Sequence, residues 1–395
     1  MTFWKYCIAM LGAFQYGYTI AVMAGALLFL APIYQLDPSR QGFLVSAVLI
    51  GGLFGAASAG MLAEIYGRKR AQIIIAGIFL AGTLVVVFSS SIEAVVVGRV
   101  IQGLAVGAIS VVGPMYIAEV SPYQNRGRNV SFYQLAVTFG ILCAYSVSYI
   151  FSGEGAWRWM FAVGIIPAVL HAVGFLFLPD SQPRNSNGDV SWKTVFKPEY
   201  RRPLISAVAI NFFQQITGIN AIIYFAPSIF EMCGFKSAAN AIFSAVLIGV
   251  INFLSTSISI ILVDRKGRKP LLLVGLAGMI LSLTALSFAC FGQGSVGPWI
   301  ATGSLMVYIG CFAFGLGPIP QMITSEVFPH TIRSRGVSIA MMASWICNFL
   351  VVFTFMDLTT YFSQAGTFLI YAFFGMIAFY YIWKKIPETK GTPLQ

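Results

Sequence analysis

The chain has 395 residues, of which 58% are hydrophobic and only 9% are charged, whereas soluble domains average about 25% charged residues. A soluble fold of this length would lack the polar side chains needed to cover its surface, so the composition excludes a water-soluble enzyme or binding module and indicates a protein embedded in lipid. The net charge of +11 does not indicate a nucleic-acid partner, because the basic residues lie in short clusters between apolar segments, as membrane topology requires.

Apolar segments recur along the whole chain, each long enough for a helix to cross about 30 Å of hydrocarbon. We predict twelve spans, near 6–32, 41–63, 71–90, 92–119, 131–152, 158–178, 204–230, 237–262, 270–291, 297–323, 336–360 and 364–384. A polar segment separates the first six from the last six. The fold class is therefore an all-α integral membrane protein with an N-terminal six-helix bundle at 1–178, a cytoplasmic linker at 179–203, a C-terminal six-helix bundle at 204–384 and a short cytoplasmic tail at 385–395.

The basic residues predict the orientation of these spans. Twenty Lys and Arg side chains fall in the termini and in the loops that share their side of the membrane, whereas only Arg40, Arg158 and Lys236 fall in the opposite loops. Cytoplasmic loops carry the excess of Lys and Arg, so both termini are predicted to be cytoplasmic. We expect a multi-pass protein of the plasma membrane.

Two charged motifs recur after corresponding spans of the two halves. An acid-x-x-Gly-Arg-Lys motif begins at Glu64 and again at Asp264, and an acid-x-x-Pro-x-x-x-Arg motif begins at Glu119 and again at Glu326. Such repetition is typical of a transporter built from two similar bundles. Because carboxylates and guanidinium groups pair strongly, we predict a cytoplasmic latch that holds the two bundles together on one side and breaks when they move apart; the alternative is that these residues are topology signals and solvated loop charges. The latch residues are Glu64, Arg68, Glu119, Arg126, Asp264, Arg268, Glu326 and Arg333.

Most of the large polar side chains inside the predicted spans are the neutral amides of Gln and Asn. An amide both donates and accepts hydrogen bonds, so it suits a neutral polyhydroxylated ligand better than an ion. Trp345 lies on the same helical face as Asn348, where an aromatic ring can stack on a sugar while the amide binds hydroxyl groups. The alternative role is to join helices by hydrogen bonds. The candidate substrate-binding residues are Gln134, Gln214, Gln215, Asn220, Asn252, Gln321, Trp345 and Asn348.

Helix-breaking residues interrupt the predicted seventh span at Gly218 and the predicted tenth span at 315–320. Pro removes a helical hydrogen bond and Gly loosens packing, so a helix can bend at these positions where it lines a cavity. We predict that they act as gates, with ordinary kinks as the alternative; the residues are Gly218, Gly317, Pro318 and Pro320. Neither the two histidines nor the six cysteines have the spacing of a metal or catalytic site, so the sequence indicates no enzyme, no metal and no cofactor.

Together these motifs resemble the sugar porter branch of the major facilitator superfamily over nearly the whole chain. Besides the repeated motifs, the resemblance rests on Gly98-Arg99, Gln214-Gln215-x-Thr217-Gly218-x-Asn220, Gly317-Pro318-Ile319-Pro320 and Pro387-Glu388-Thr389-Lys390-Gly391. It implies the major facilitator fold and transport of a sugar by alternating access. It also implies sugar contacts at the candidate residues above other than Gln321, and an outer-gate role for Tyr224.

The sequence departs from the family pattern at three positions. Thr19 stands where proton-coupled members carry an Asp beside the equivalent of Arg99, Gln321 replaces a Trp, and Ala313 replaces an acid found in many glucose carriers. Without a carboxylate at position 19, we predict facilitative transport of a hexose or similar neutral sugar by a monomer whose partners are sugar and lipid. The changes at 321 and 313 reshape the pocket and leave the choice of sugar open. The alternatives are a proton-coupled symporter of a sugar or a polyol such as inositol, and a sugar sensor, which the short segment after Lys385 disfavours.

Overall fold

The computed structural model describes residues 3–121, 126–180, 192–235, 237–291, 297–329, 332–386 and 388. These residues form helices joined by short connections, with no β-strand in the described ranges. Twelve helical segments are long and apolar enough to cross a membrane, so the predicted number of spans is confirmed. Residues 181–191 of the predicted linker, and residues 387 and 389–395 of the predicted tail, lie outside the described residues.

The N-terminal half contains eight of the helices. They are α1 (Phe3–Ala9), α2 (Leu11–Ile33), α3 (Pro38–Tyr66), α4 (Arg68–Val87), α5 (Ile92–Val120), α6 (Arg126–Ile150), α7 (Trp157–Ala162) and α8 (Ile165–Leu176). The first span was predicted as one helix, but the chain turns at Met10, so α2 alone is the spanning helix. The preceding α1 carries the exposed Trp4 beside Lys5, a pair typical of a membrane interface rather than of its apolar centre.

The C-terminal half also contains eight helices. They are α9 (Arg201–Ile216), α10 (Ile219–Met232), α11 (Ala238–Lys266), α12 (Arg268–Phe291), α13 (Gly297–Phe314), α14 (Ile319–Val327), α15 (Arg333–Tyr361) and α16 (Ser363–Lys385). Helices α9 and α10 together make one candidate span, and α13 and α14 make another. A third interrupted span, Trp157–Leu176, consists of α7 and α8. The seventh and tenth spans are interrupted where the sequence placed helix-breaking residues, whereas the break between α7 and α8 was not predicted.

The chain divides into two compact units. The first comprises Met1–Asn185, Ile223–Glu231 and Phe235–Val250, and the second comprises Ser186–Ile222, Met232–Gly234 and Ile251–Gln395. Most of α10 and the first half of α11 therefore group with the N-terminal residues. The predicted bundle bounds at 178 and 204 stay a prediction.

Within the first unit, glycines allow helices to pack backbone against backbone. A Cβ atom added to Gly51 or Gly55 of α3 would collide with the carbonyl oxygen of Val100 or Leu104 on α5, and one added to Gly103 of α5 would collide with α3 in return. The same holds between α2 and α6, at Gly17 and Gly140. Lipid gives no hydrophobic drive for helices to associate, so close packing of small residues supplies the attraction instead.

Candidate functional site

The break between α9 and α10 brings the amides of the seventh span together. Helix α9 ends where the Thr217 hydroxyl donates to the Gln214 carbonyl, and Gly218 then takes φ +89°, a conformation that favours glycine. The Tyr308 hydroxyl donates to the Thr217 carbonyl at 2.9 Å and holds this turn from α13. The turn restarts the chain as α10 with Asn220 beside Gln215, although the two residues are five positions apart.

Three amides form one continuous hydrogen-bonded chain. Asn220 Nδ2 donates to Gln215 Oε1 at 2.6 Å, and Gln215 Nε2 donates to Gln214 Oε1 at 3.3 Å. Gln215 Nε2 also donates to the Ser344 hydroxyl on α15 at 2.9 Å. Gln214 and Gln215 are buried, whereas Asn220 is half-buried. The chain of bonds therefore holds each amide in one orientation, as a specific binding site requires.

Gln214 connects this amide chain to the second helix break. Its Nε2 donates to the backbone carbonyls of Leu316 at 2.6 Å and Gly317 at 3.1 Å, between α13 and α14. These carbonyls are free to accept because the helix is interrupted at Gly315–Pro318. The predicted binding residues of the seventh span and the predicted gate of the tenth span are thus in direct contact. Sequence reasoning identified both groups but not the bonds between them.

Helix α15 adds further polar groups to the same unit. Asn348 lies one turn after Ser344, is 6% exposed, and its Oδ1 has no hydrogen-bond partner within the described part of the chain. The Trp345 ring is 5% exposed. Asn252 on α11 is also 5% exposed. A buried amide oxygen without a partner is costly, so Asn348 is a strong candidate to accept a hydrogen bond from a ligand hydroxyl.

The structure does not test the roles of three further predicted site residues. Gln134 is half-buried on α6 and Tyr224 is buried on α10, and both belong to the first unit. Gln321 lies on α14 with an exposed side chain, and no hydrogen bond joins it to the amide chain within the described residues. The roles of these three residues stay predictions.

Arg99 is fully buried on α5 with neutral partners. Its Nη1 donates to the Thr19 carbonyl at 3.0 Å and to Gln102 Oε1 at 3.1 Å, and Gln102 in turn donates to the Thr83 hydroxyl. No acidic side chain among the described residues forms an ion pair with Arg99. Thr19 therefore lies against Arg99, as the family resemblance implies, and brings no carboxylate to it.

Two of the predicted latch residues form an ion pair within one unit, and the predicted latch between the bundles stays a prediction. Arg68 at the start of α4 donates from Nε to Glu119 Oε1 at 3.2 Å near the end of α5, and both side chains are less than one-fifth exposed. Arg68 also donates to the Ala63 carbonyl, whereas Glu64 is exposed. Both partners lie in the first unit, so this pair joins helices within one unit. The side chains of four further latch residues lie outside the described residues: Arg126, Asp264, Glu326 and Arg333.

Sequence reasoning missed the capping role of Glu388, an acid near the end of the chain that binds the N-terminus of α12. The Glu388 carboxylate accepts from the backbone N–H groups of Arg268 and Lys269, both at 3.0 Å. In the first half, an added Cβ at Gly67 would lie 3.7 Å from Asp180 Oδ1. Each acid follows a proline at the end of its half, so the recurrence of Pro-Asp at 179 and Pro-Glu at 387 was the signal available. A carboxylate at a helix N-terminus satisfies free N–H groups and the helix dipole.

Within the described residues, no group of three or more His, Cys, Asp or Glu side chains is arranged to hold a metal ion. The described network consists of neutral amides and a hydroxyl, which are groups that bind hydroxyl-rich ligands.

Comparison with known proteins gives consistent matches. The family model described as "Sugar (and other) transporter" matches residues 4–186 and 182–395. The galactose-proton symporter of Escherichia coli K12 is 34% identical over 434 residues, covering 100% of this chain and 93% of that protein. The glucose transporter GlcP of Staphylococcus epidermidis is 34% identical over 429 residues, covering 99% and 96%. A crystal structure of a D-xylose-proton symporter matches at 30% identity with a TM-score of 0.87, covering 100% of both chains.

Proposed function

Because the chain belongs to the family of sugar (and other) transporters, we propose that it carries a hexose or a similar neutral sugar across a membrane by facilitated diffusion. The protein is a multi-pass membrane protein with the major facilitator fold. Alternating access moves the sugar, and its concentration gradient sets the direction of net flux.

The amide network is the observation that carries this proposal. Gln214, Gln215 and Asn220 are held in fixed orientations by bonds to Ser344 and to the carbonyls of the second helix break. Asn348 offers an unpaired acceptor one turn from Ser344. Fixed amides and an indole are the groups that bind sugar hydroxyls and the apolar face of a sugar ring.

The neutral surroundings of Arg99 favour facilitated diffusion. Proton coupling requires a group in the transport pathway that gains and loses a proton. Thr19 and Gln102, the described partners of Arg99, are neutral, and arginine does not release its proton in proteins. The second candidate is proton-coupled transport of a sugar or polyol, which the names of the symporters among its relatives favour.

Sugar uptake tests both candidates. The full-length protein is expressed in cells without their own hexose carriers, and uptake of labelled glucose, galactose, fructose, xylose and inositol is measured with and without a protonophore. We expect saturable uptake of at least one sugar that persists with the protonophore. Uptake abolished by the protonophore contradicts the facilitative mode, and no uptake by protein shown to reach the cell surface contradicts transport of these sugars.

A pair of amide substitutions assigns that uptake to the proposed site. Asn348→Ala removes an acceptor that has no partner among the described residues, so the fold loses little while the sugar loses a hydrogen bond. We expect the KM to rise about tenfold, equivalent to about 1.4 kcal/mol. Gln41→Ala is the matched control, because Gln41 donates only to the Leu36 carbonyl near the start of α3. Equal KM values for the two variants would place the sugar elsewhere.

We also propose that both termini are cytoplasmic, that the protein resides in the plasma membrane, and that it acts as a monomer. The uneven distribution of basic residues supports the orientation. Protease accessibility of terminal epitope tags in intact cells tests it: tags cleaved without permeabilisation would contradict it. Light scattering of the purified protein tests the monomer.

The Arg68–Glu119 pair supports a structural role for the cytoplasmic motifs. We propose that the motif residues of each half hold helix ends together in one conformational state and separate in another. Glu64 contributes little because it is exposed, and exposed ion pairs are weak.

A further inference from the structure

Two cysteines from distant parts of the sequence lie in contact. Cys233 follows the last residue of α10, and Cys290 lies in the last turn of α12. Their Sγ atoms are 3.1 Å apart and both residues are half-buried. Among the described residues, no other cysteine contacts a second one; the remaining four are Cys7, Cys143, Cys311 and Cys347.

The two sulfurs lie close to bonding distance. A disulfide is about 2.05 Å long, so the two Sγ atoms, now 3.1 Å apart, need to approach by about 1 Å. Cys233 lies in a turn rather than inside a helix, next to Gly234 with φ +107°. An added Cβ at Gly234 would touch the Pro298 ring at 3.4 Å, so the turn is supported but not enclosed.

We propose that Cys233 and Cys290 are a modification site at which a reversible disulfide ties the end of α10 to the end of α12. The oxidant is a small-molecule disulfide such as oxidised glutathione. The thiolate of one cysteine attacks it, forms a mixed disulfide and releases one glutathione thiolate. The thiolate of the second cysteine then attacks the protein sulfur of that mixed disulfide and releases the second glutathione. Two protein thiols are oxidised, one small disulfide is reduced, and the two protons pass to the released thiolates.

The location of the pair suits this chemistry. Cys233 follows the seventh span and Cys290 ends the ninth, so with both termini in the cytoplasm the pair lies at the outer face of the membrane. Disulfides persist on cell surfaces, whereas the cytosol keeps thiols reduced. This step rests on the proposed orientation, and vesicles of known sidedness test the two separately.

The bond has a predicted consequence for transport. Gly218, between α9 and α10, is a predicted gate residue, and α10 carries the predicted outer-gate residue Tyr224. A covalent link from the far end of α10 to α12 restricts movement of α10. We expect oxidation to slow sugar uptake severalfold and dithiothreitol to restore it. This consequence rests on the proposed function, whereas formation of the bond does not.

Thiol counting tests the bond without any transport measurement. Full-length protein in right-side-out vesicles is treated with oxidised glutathione, denatured, alkylated with N-ethylmaleimide and weighed intact. Of the six cysteines, we expect four to be alkylated, with no glutathione attached to the protein. When the oxidised protein is reduced with dithiothreitol before alkylation, we expect all six to be alkylated. Cys143→Ser, at another half-buried cysteine, is the matched control and should still lose two alkylation sites on oxidation. In the Cys233→Ser and Cys290→Ser variants, oxidation should not remove any alkylation site by forming an internal disulfide.

The outcomes separate the parts of the proposal. Six alkylated cysteines after oxidation, or a disulfide that persists in both serine variants, would overturn the site. Bond formation in inside-out vesicles but not in right-side-out vesicles would overturn the outer location. A disulfide that forms without changing the uptake rate would overturn the effect on α10. Protein that forms the bond but carries no sugar in either redox state would contradict the proposed function and leave the disulfide established.

Discussion

Replacing Gly218 by alanine should disrupt the turn that organises the amide network. Gly218 has φ +89°, and placing an L-residue in that region costs roughly 1–2 kcal/mol. The new Cβ would lie 2.5 Å from Tyr371 Cδ2. That ring is buried and stacked on Phe355, with centroids 6.5 Å apart, so it has little room to move, and overpacking costs about 1–3 kcal/mol. The two effects together destabilise the native turn by about 2–5 kcal/mol.

The measurement compares this variant with a glycine that has space around it. Gly303 on α13 is exposed, and an added Cβ there meets no atom within 4 Å. Gly303→Ala should therefore be neutral or stabilising by up to about 1 kcal/mol, because alanine favours the helix. Thermal unfolding in detergent and sugar uptake are measured for both variants at matched surface expression. We expect Gly218→Ala to melt at a lower temperature than Gly303→Ala and to lose more than tenfold in uptake.

Equal melting temperatures and equal uptake for Gly218→Ala and Gly303→Ala would refute this reasoning. That result would mean that the chain passes from α9 to α10 without the left-handed residue. The fixed positions of Gln215 and Asn220 would then need another cause.

Three further predictions concern charge. Thr19→Asp places a carboxylate beside Arg99 and should make uptake sensitive to external pH and to a protonophore. Thr19→Asn is the control and should not have this effect. The same pH profile of uptake for both variants would contradict the proposed role of the neutral residue. A double-mutant cycle of Arg68→Ala and Glu119→Ala should give a coupling of about 1 kcal/mol in detergent unfolding, whereas Glu64→Ala should have almost no effect; zero coupling would count against the latch pair. Glu388→Ala should cost about 0.5–2 kcal/mol by uncapping α12, measured against Ala at the exposed Glu154, and no difference would mean that water caps the helix equally well.

The sequence was sufficient to predict the spans and the amides but not their connections. Apolar length determines whether a helix crosses lipid, so the twelve spans could be found without tertiary information. Polar residues in a span are costly, which made Gln214, Gln215 and Asn220 visible. Their partners were not visible, because two are backbone carbonyls at Leu316 and Gly317 that become available only where the helix breaks.

Other features depended on direction and distance that spacing does not encode. Gln321 follows the turn at Gly315–Pro318, which resets the helical phase, so its exposure could not be obtained from the pattern of α13. Cys233 and Cys290 are 57 positions apart and match no spacing rule. The role of Glu388 required comparison of two short segments that share a proline, an acid and a hydroxyl residue.

The glycine contacts between α3 and α5 affect how a mutational scan of this protein would look. Phe54 on α3 is 62% exposed, whereas its neighbour Gly55 packs against the backbone of α5. Swapping one large lipid-facing side chain for another changes little, but adding a single methyl group at Gly55 forces two helices apart. The positions least tolerant of change would therefore be the smallest residues, and intolerance there would report on assembly in the membrane rather than on the choice of sugar.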